Sequence, residues 1–213
     1  MQSLAKGATL PAFELKERGD VVSVQATVLA PRTVEKDFQR EIRAEVRRVL
    51  PYVEDVKIEF ELSGHQKRIY LLLVATTSTG CRLGRDWLYD RRITTLSAAV
   101  AEMVRRVVEE LDAEIRGRAC VDEYMSDQLV VFQALAKGRS MVTGGKEKGG
   151  SVRERTLHAQ TAWWVVSELL GVEVDEEGGC EGVGFVVGNK FVVSNRKGAG
   201  ELRGEFGRLE IGN

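Results

Sequence analysis

Two histidines occur in the 213 residues, and one of them stands where an imidazole can do chemistry. His158 lies two positions after Thr156, a residue type favoured just before a helix begins. Ala162, Val165, Val166, Leu169 and Leu170 follow as an apolar stripe. They predict a helix from about His158 to Leu170, stopped by Gly171. His158 then opens that helix at the top of its stripe, near the core edge. A helix N-terminus offers free N–H groups and partial positive charge, so it favours phosphate and keeps a histidine neutral. A neutral imidazole beside a bound phosphate can attack phosphorus. On the residues alone this signal is weak, and a half-buried histidine that only packs is the more ordinary reading. His65 falls in the polar turn Ser63–Lys67 and reads as an exposed loop residue.

A second constellation is Asp122-Glu123-Tyr124-Met125-Ser126-Asp127-Gln128. On a helix, Tyr124, Asp127 and Gln128 are spaced i, i+3 and i+4 and share one face. An aromatic plate, a carboxylate and an amide suit a nucleoside: the ring stacks on a base, and the polar groups reach ribose hydroxyls. Asp127 could instead bind a divalent ion. The acidic residues also suit a first turn that only complements the helix dipole. The Gly144–Gly150 segment has the composition of a phosphate loop without its spacing, because Glu147 stands where Ser or Thr is needed. Arg47, Arg48, Lys67, Arg68, Arg82, Arg85, Arg91 and Arg92 could form a basic face for RNA phosphates, or an ordinary ion-paired surface.

These residues need elements to position them. VVSVQATVLA (21–30) alternates as a strand. Val34, Phe38, Ile42, Val46 and Leu50 recur every four residues and predict an amphipathic helix over 34–50, ended by Pro51. Residues 53–62 and 68–77 read as strands. A helix over 94–113 carries Leu96, Val100, Met103, Val107 and Leu111. The pattern is strand, helix, two strands, helix, a small α+β unit over 20–116 with both helices on one face of its sheet. A third helix runs from near Asp122 to Lys137, with Gly138 as its left-handed cap. Short strands are expected at 172–175 and 180–187. Residues 141–155 read as a mobile loop, and 188–213 as a poorly ordered tail.

Composition narrows the field. Hydrophobic residues make up 43% and charged residues 30%, a globular balance. Lys plus Arg number 31 against 32 Asp plus Glu, so the net charge of -1 provides no bulk basic field for nucleic acid. The first residues, MQSLAKGATLPAF, lack the apolar core of a signal peptide, and the longest strongly apolar run, Ile69–Ala75, is far too short for a membrane span. An intracellular protein with no membrane partner is expected. Cys81, Cys120 and Cys180 show neither disulfide nor zinc spacing and read as buried, reduced thiols.

Two segments resemble motifs of the RNA 3′-terminal phosphate cyclase family. VDEYMSDQLVVFQALAKG (121–138) is similar to its DEYLxDQL-type segment, and TLHAQTA (156–162) to the segment that holds its catalytic histidine. LPAFELKERGDVVSVQATVLA (10–30), TTSTGC (76–81) and GCEGVGF (179–185) match in the same order. The resemblance implies the C-terminal half of a cyclase. A repeated α/β-sandwich unit of the large domain would comprise 1–19 and 117–187, and 20–116 would be the inserted small α+β domain. It implies ATP and a divalent metal (Mg or Mn), RNA 3′ ends as substrate, and conversion of a 3′-phosphate to a 2′,3′-cyclic phosphate in RNA processing. His158 would become a histidyl-AMP, and Tyr124, Asp127 and Gln128 would line the AMP site. The metal ligands stay unknown, and a nuclear location is suspected. The family's N-terminal half has no counterpart here, so poor labelling of the chain alone by ATP is expected, with Trp163 and Trp164 as candidates for exposed core. The alternative is a non-catalytic truncated or cyclase-like protein in RNA or ribosome biogenesis, a branch that lacks the histidine motif.

Overall fold

The computed structural model describes residues 7–145, 156–175 and 177–188. The elements are β1 (Glu14–Leu15), β2 (Val21–Ala30), α1 (Glu35–Val49), β3 (Val56–Leu62), β4 (Tyr70–Thr77), β5 (Arg82–Leu88), α2 (Leu96–Arg116), α3 (Glu123–Leu135), β6 (Lys137–Val142), α4 (Leu157–Leu170) and β7 (Gly179–Val183). The fold is α+β, with two sheets and four helices among the described residues. The chain divides into two compact units. Of the described residues, the larger holds 15–126 and 142–145, and the smaller holds 7–14, 127–141, 156–175 and 177–188.

The larger unit is a four-stranded sheet in the order β3-β2-β4-β5. Strands β2 and β3 are parallel, joined by α1; β4 runs antiparallel to β2, and β5 antiparallel to β4. Alternation decides which face is covered. Val24, Ala26, Val28 and Ala30 of β2, Leu71, Leu73 and Ala75 of β4, and Leu83 and Trp87 of β5 all point into one core. Phe38, Ile42 and Val46 of α1 and Val100, Met103, Val107 and Leu111 of α2 fill its other side, so both helices cover the same face. Thr95 caps α2 by accepting from the Ala98 N–H. The predicted helix over 34–50 begins with a short 3-10 turn, Arg32–Val34, before α1 proper.

Three expectations are corrected here. Strand β5 was not visible in the sequence, because its inward positions are Leu83, Arg85 and Trp87, and the arginine breaks the apolar alternation. Arg85 is therefore a buried residue and not part of a basic face; the other seven basic residues named with it are exposed. Cys81 is only partly buried, whereas Cys120 and Cys180 are buried.

The larger unit extends beyond 20–116. Arg18 donates to the Ile115 carbonyl, and Asp122 accepts the Gly84 N–H at 2.9 Å. Both flanks are thus tied to it.

The smaller unit is built on a sheet ordered β1-β6-β7, with β6 and β7 antiparallel. Gly138 does not cap α3. It lies inside β6 with φ 101°, and Lys137–Val142, expected as a helix end and loop, is a strand. The strand expected at 172–175 is a single bridge from Val174 to Cys180. Val130, Ala134, Val166, Val172 and Cys180 form the unit's core cluster, with Ala162, Trp163 and Leu170 against it. The expected tail beyond Gly188 and the loop residues 146–155 lie outside the described residues. No helix among the described residues is long and apolar enough to cross a membrane.

Candidate active site

Helix α4 begins as its sequence requires. Thr156 is extended (φ -58°, ψ 156°), and its Oγ1 accepts the Ala159 N–H at 3.0 Å. Gly171 ends the helix in the left-handed region at φ 66°. His158 therefore sits in the first turn, where N–H groups and helix dipole favour an anion. It is exposed, not at the core edge. The buried line of α4 runs through Ala159 and Val166, with Ala162, Trp163 and Leu170 packed against the same core; of the expected stripe, Ala162, Val166 and Leu170 meet that core and Leu169 is exposed. At 100° per residue, His158 falls beside that line rather than on it.

The Thr156 hydroxyl has a second bond. It donates to Asp127 Oδ1 at 2.9 Å. One oxygen thus caps α4 and fastens its start to α3, within the smaller unit. Asp127 and Gln128 come from the second turn of α3, with Asp127 partly buried and Gln128 exposed. The link from Thr156 to Asp127 was not foreseen. Its only sequence signal was a threonine at a cap and an aspartate on a helix face.

The first turn of α3 belongs to the larger unit. Asp122 Oδ1 accepts the Met125 N–H at 2.9 Å and caps the helix. Tyr124, one position from Glu123, is half exposed at 53%. The Arg85 guanidinium lies 5.3 Å from the centroid of its ring. Arg85 also pairs with Glu123 and with the buried Glu114 of α2. Burial alone would lower the Arg85 pKa, but its hydrogen bond to Glu123 and the charge of Glu114 outweigh this, and the net shift is upward. Sequence reasoning missed this cluster. Its signal was a pair of opposite charges on inward positions, Arg85 between Leu83 and Trp87, and Glu114 seven residues after Val107.

His65 is exposed in its turn, where its Nδ1 accepts the Lys67 N–H at 3.2 Å. No group of three His, Cys, Asp or Glu among the described residues is placed to hold a metal ion.

A family model described as RNA 3′-terminal phosphate cyclase matches residues 10–175. The chain belongs to this family. Among curated members, the RNA 3′-terminal phosphate cyclase of Drosophila melanogaster is 31% identical over 180 residues, covering 76% of this chain and 44% of that protein. The cyclase of Pyrobaculum aerophilum is 29% identical over 188 residues, 83% of this chain and 49% of that protein. That of Thermococcus onnurineus is 40% identical over 110 residues, 50% and 28%. The chain spans just under half the length of the first two cyclases. The matched span of the family model contains Tyr124, Asp127, Gln128, Thr156 and His158.

Proposed function

We propose that this chain carries the adenylyl-accepting part of an ATP-dependent enzyme that converts RNA 3′-terminal phosphates to 2′,3′-cyclic phosphates. His158 is the nucleophile, and Tyr124, Asp127 and Gln128 hold AMP. In the same reading, residues 20–116 are the family's inserted domain, and 1–19 with 117–187 belong to its large domain. The family match across residues 10–175 carries the reading. The start of α4 supports it locally, since it sets His158 at a phosphate-favouring helix end and fastens that end to Asp127.

The chemistry is three displacements at phosphorus. A ring nitrogen of neutral His158 attacks the α-phosphorus of ATP, and pyrophosphate leaves with the electron pair of the broken P–O bond. An oxygen of the RNA 3′-phosphate then attacks the same phosphorus, and the P–N bond breaks to restore the imidazole. Finally the vicinal 2′-hydroxyl, losing its proton, attacks the 3′-phosphorus, closes the ring and expels AMP. The protein's own share is positioning and charge stabilisation. Thr156 holds the helix start, the first-turn N–H groups face developing negative charge, and Asp127 and Gln128 can accept and donate to ribose hydroxyls. The partner is RNA with a phosphorylated 3′ end.

The test uses the longest natural protein that contains this sequence and ATP radiolabelled at the α-phosphate. A covalent label is expected that is lost in acid and survives hydroxylamine, as a phosphoramidate does. His158→Ala abolishes it. A label that persists in His158→Ala, or a hydroxylamine-sensitive one, rules out His158 as the adenylylated residue. Tyr124→Ala weakens nucleotide binding by about 1–3 kcal/mol, the worth of an aromatic plate under a base.

A further inference from the structure

We infer that Arg85, on the edge strand β5, is a positioning residue for Tyr124: it holds the phenol ring from the protein side and leaves the exposed side to the nucleotide base. The inference rests on the reading of Tyr124 as a nucleotide contact.

Two consecutive residues of β5 grip three consecutive residues at the start of α3. The Gly84 N–H donates to Asp122 Oδ2 at 2.9 Å, Arg85 Nη1 donates to Glu123 Oε1, and the Arg85 guanidinium lies 5.3 Å from the Tyr124 ring centroid. All of these residues belong to the larger unit. Strand β5 is an edge of its sheet, so its outward N–H needs a partner, and Asp122 supplies one. Asp122 uses its other oxygen to cap α3. The helix start is thereby fixed in both direction and rotation.

Arg85 itself is buried and tethered at both terminal nitrogens. Its side chain is 8% exposed, and Nη2 donates to Glu114, whose side chain is 1% exposed. Its Nε is buried without a hydrogen-bond partner. For stability alone this is a poor arrangement. Buried ion pairs are often matched or bettered by apolar residues of the same volume, and an unmet N–H adds a further cost. A planar, doubly tethered cation under an aromatic ring instead fixes the orientation of that ring. A tyrosine half exposed at a helix start otherwise has several rotamers open to it. By this arrangement Arg85 contributes to nucleotide binding through Tyr124, without itself touching the nucleotide.

The experiment measures the ATP concentration for half-maximal adenylylation, and the maximal labelling rate, in the longest natural protein that contains this sequence. The variants are Arg85→Lys, the charge-balanced pair Arg85→Met with Glu114→Gln, Tyr124→Ala, and Arg85→Lys combined with Tyr124→Ala. Both Arg85 variants are expected to raise the half-saturating ATP about tenfold, as Tyr124→Ala does, with maximal rates within about twofold of the parent. Combining the two single changes raises it no further, because both act through one ring. Half-saturation at the parent value in the Arg85 variants, or full additivity in the combination, overturns the inference. If Tyr124→Ala leaves half-saturation unchanged, the nucleotide reading of Tyr124 fails, and the role of Arg85 falls with it. A second measurement needs no nucleotide. The 213-residue chain labelled with 3-fluorotyrosine has four ring resonances, and Tyr124→Phe identifies one of them. Arg85→Lys is expected to shift that resonance and leave that of Tyr52 in place. An unmoved Tyr124 resonance overturns the positioning role even where the labelling result stands.

Discussion

The Arg85 cluster sets the strongest single-residue expectation. Glu114 is 1% exposed, and Arg85 is its buried counter-charge. Removing one partner of a buried pair costs about 3–5 kcal/mol, because the remaining charge loses its compensation without regaining water. Arg85→Met alone is therefore expected to lower unfolding stability by about that much in urea titration, and adding Glu114→Gln to recover most of it. A single-site loss under about 1 kcal/mol would mean that Arg85 is not the main compensation of Glu114 in the folded chain. The cysteines give a pH expectation. Burial, aided by the neighbouring Cys81, pushes the Cys120 thiol up to about 11. Folding thus favours its protonated form. The stability this contributes is present below the ordinary thiol range and is lost as pH rises toward 11. With iodoacetamide at pH 8, partly exposed Cys81 should react first, and Cys120 and Cys180 only on unfolding. Mass mapping of the alkylated peptides checks the order.

The elements show how far pattern reading reaches. Helices α1 and α2 and strands β2, β3 and β4 were legible, because each keeps one period from end to end and buries one side. Strands β5 and β6 were not, for different reasons. In β5 an inward arginine interrupts the alternation, and its compensation by Glu114 and Glu123 comes from residues 29 and 38 positions away. In β6, Lys137-Gly138-Arg139 looks like a helix end, and only pairing with β7 makes it a strand. Of the candidate site, the residue types and the capping threonine could be read from sequence. The exposure of His158 and the Thr156–Asp127 bond could not, since they depend on which side of α4 meets the core. That bond allows an element-scale test. Thr156→Val removes the cap and the hydroxyl donor together, and it should cost about 1–2 kcal/mol and speed amide exchange in the first turns of α4. Thr156→Ser should retain both bonds. Equal exchange in the two variants would show that the hydroxyl does not hold the helix start. Close approach fixes another element. A Cβ at Gly182 would meet the carbonyl oxygens of Ala136 and Gln133 at 2.3 and 2.5 Å, so Gly182→Ala must push β7 away from the end of α3. A loss of about 1–3 kcal/mol is expected from such overpacking, measured by thermal denaturation.

At the scale of the molecule, the two units differ sharply in how much they bury. Among the described residues, the larger unit's core cluster holds twenty-five buried hydrophobic residues, and the smaller unit's holds five. The smaller unit also leaves Val131, Phe132, Leu157, Trp164 and Leu169 exposed, with Trp164 at 64% while Trp163 packs against the cluster. Burial supplies the main favourable term in folding, at about 25 cal/mol per Å² of apolar surface. The two units should therefore not melt together, and a single two-state transition is not expected. The three tryptophans allow each unit to be followed separately, since Trp87 lies in the larger unit and Trp163 and Trp164 in the smaller. In a chain carrying Trp163→Phe and Trp164→Phe, fluorescence reports only Trp87, whose ring has the Arg91 and Arg106 guanidinium groups against it. In a chain carrying Trp87→Phe, it reports only the smaller unit. The second chain is expected to change at lower urea than the first, with amides of α4 exchanging ahead of those of α1 and α2. Coincident midpoints for the two chains would mean that the smaller unit gains its stability from contacts with the larger one, and that the chain unfolds as one cooperative body.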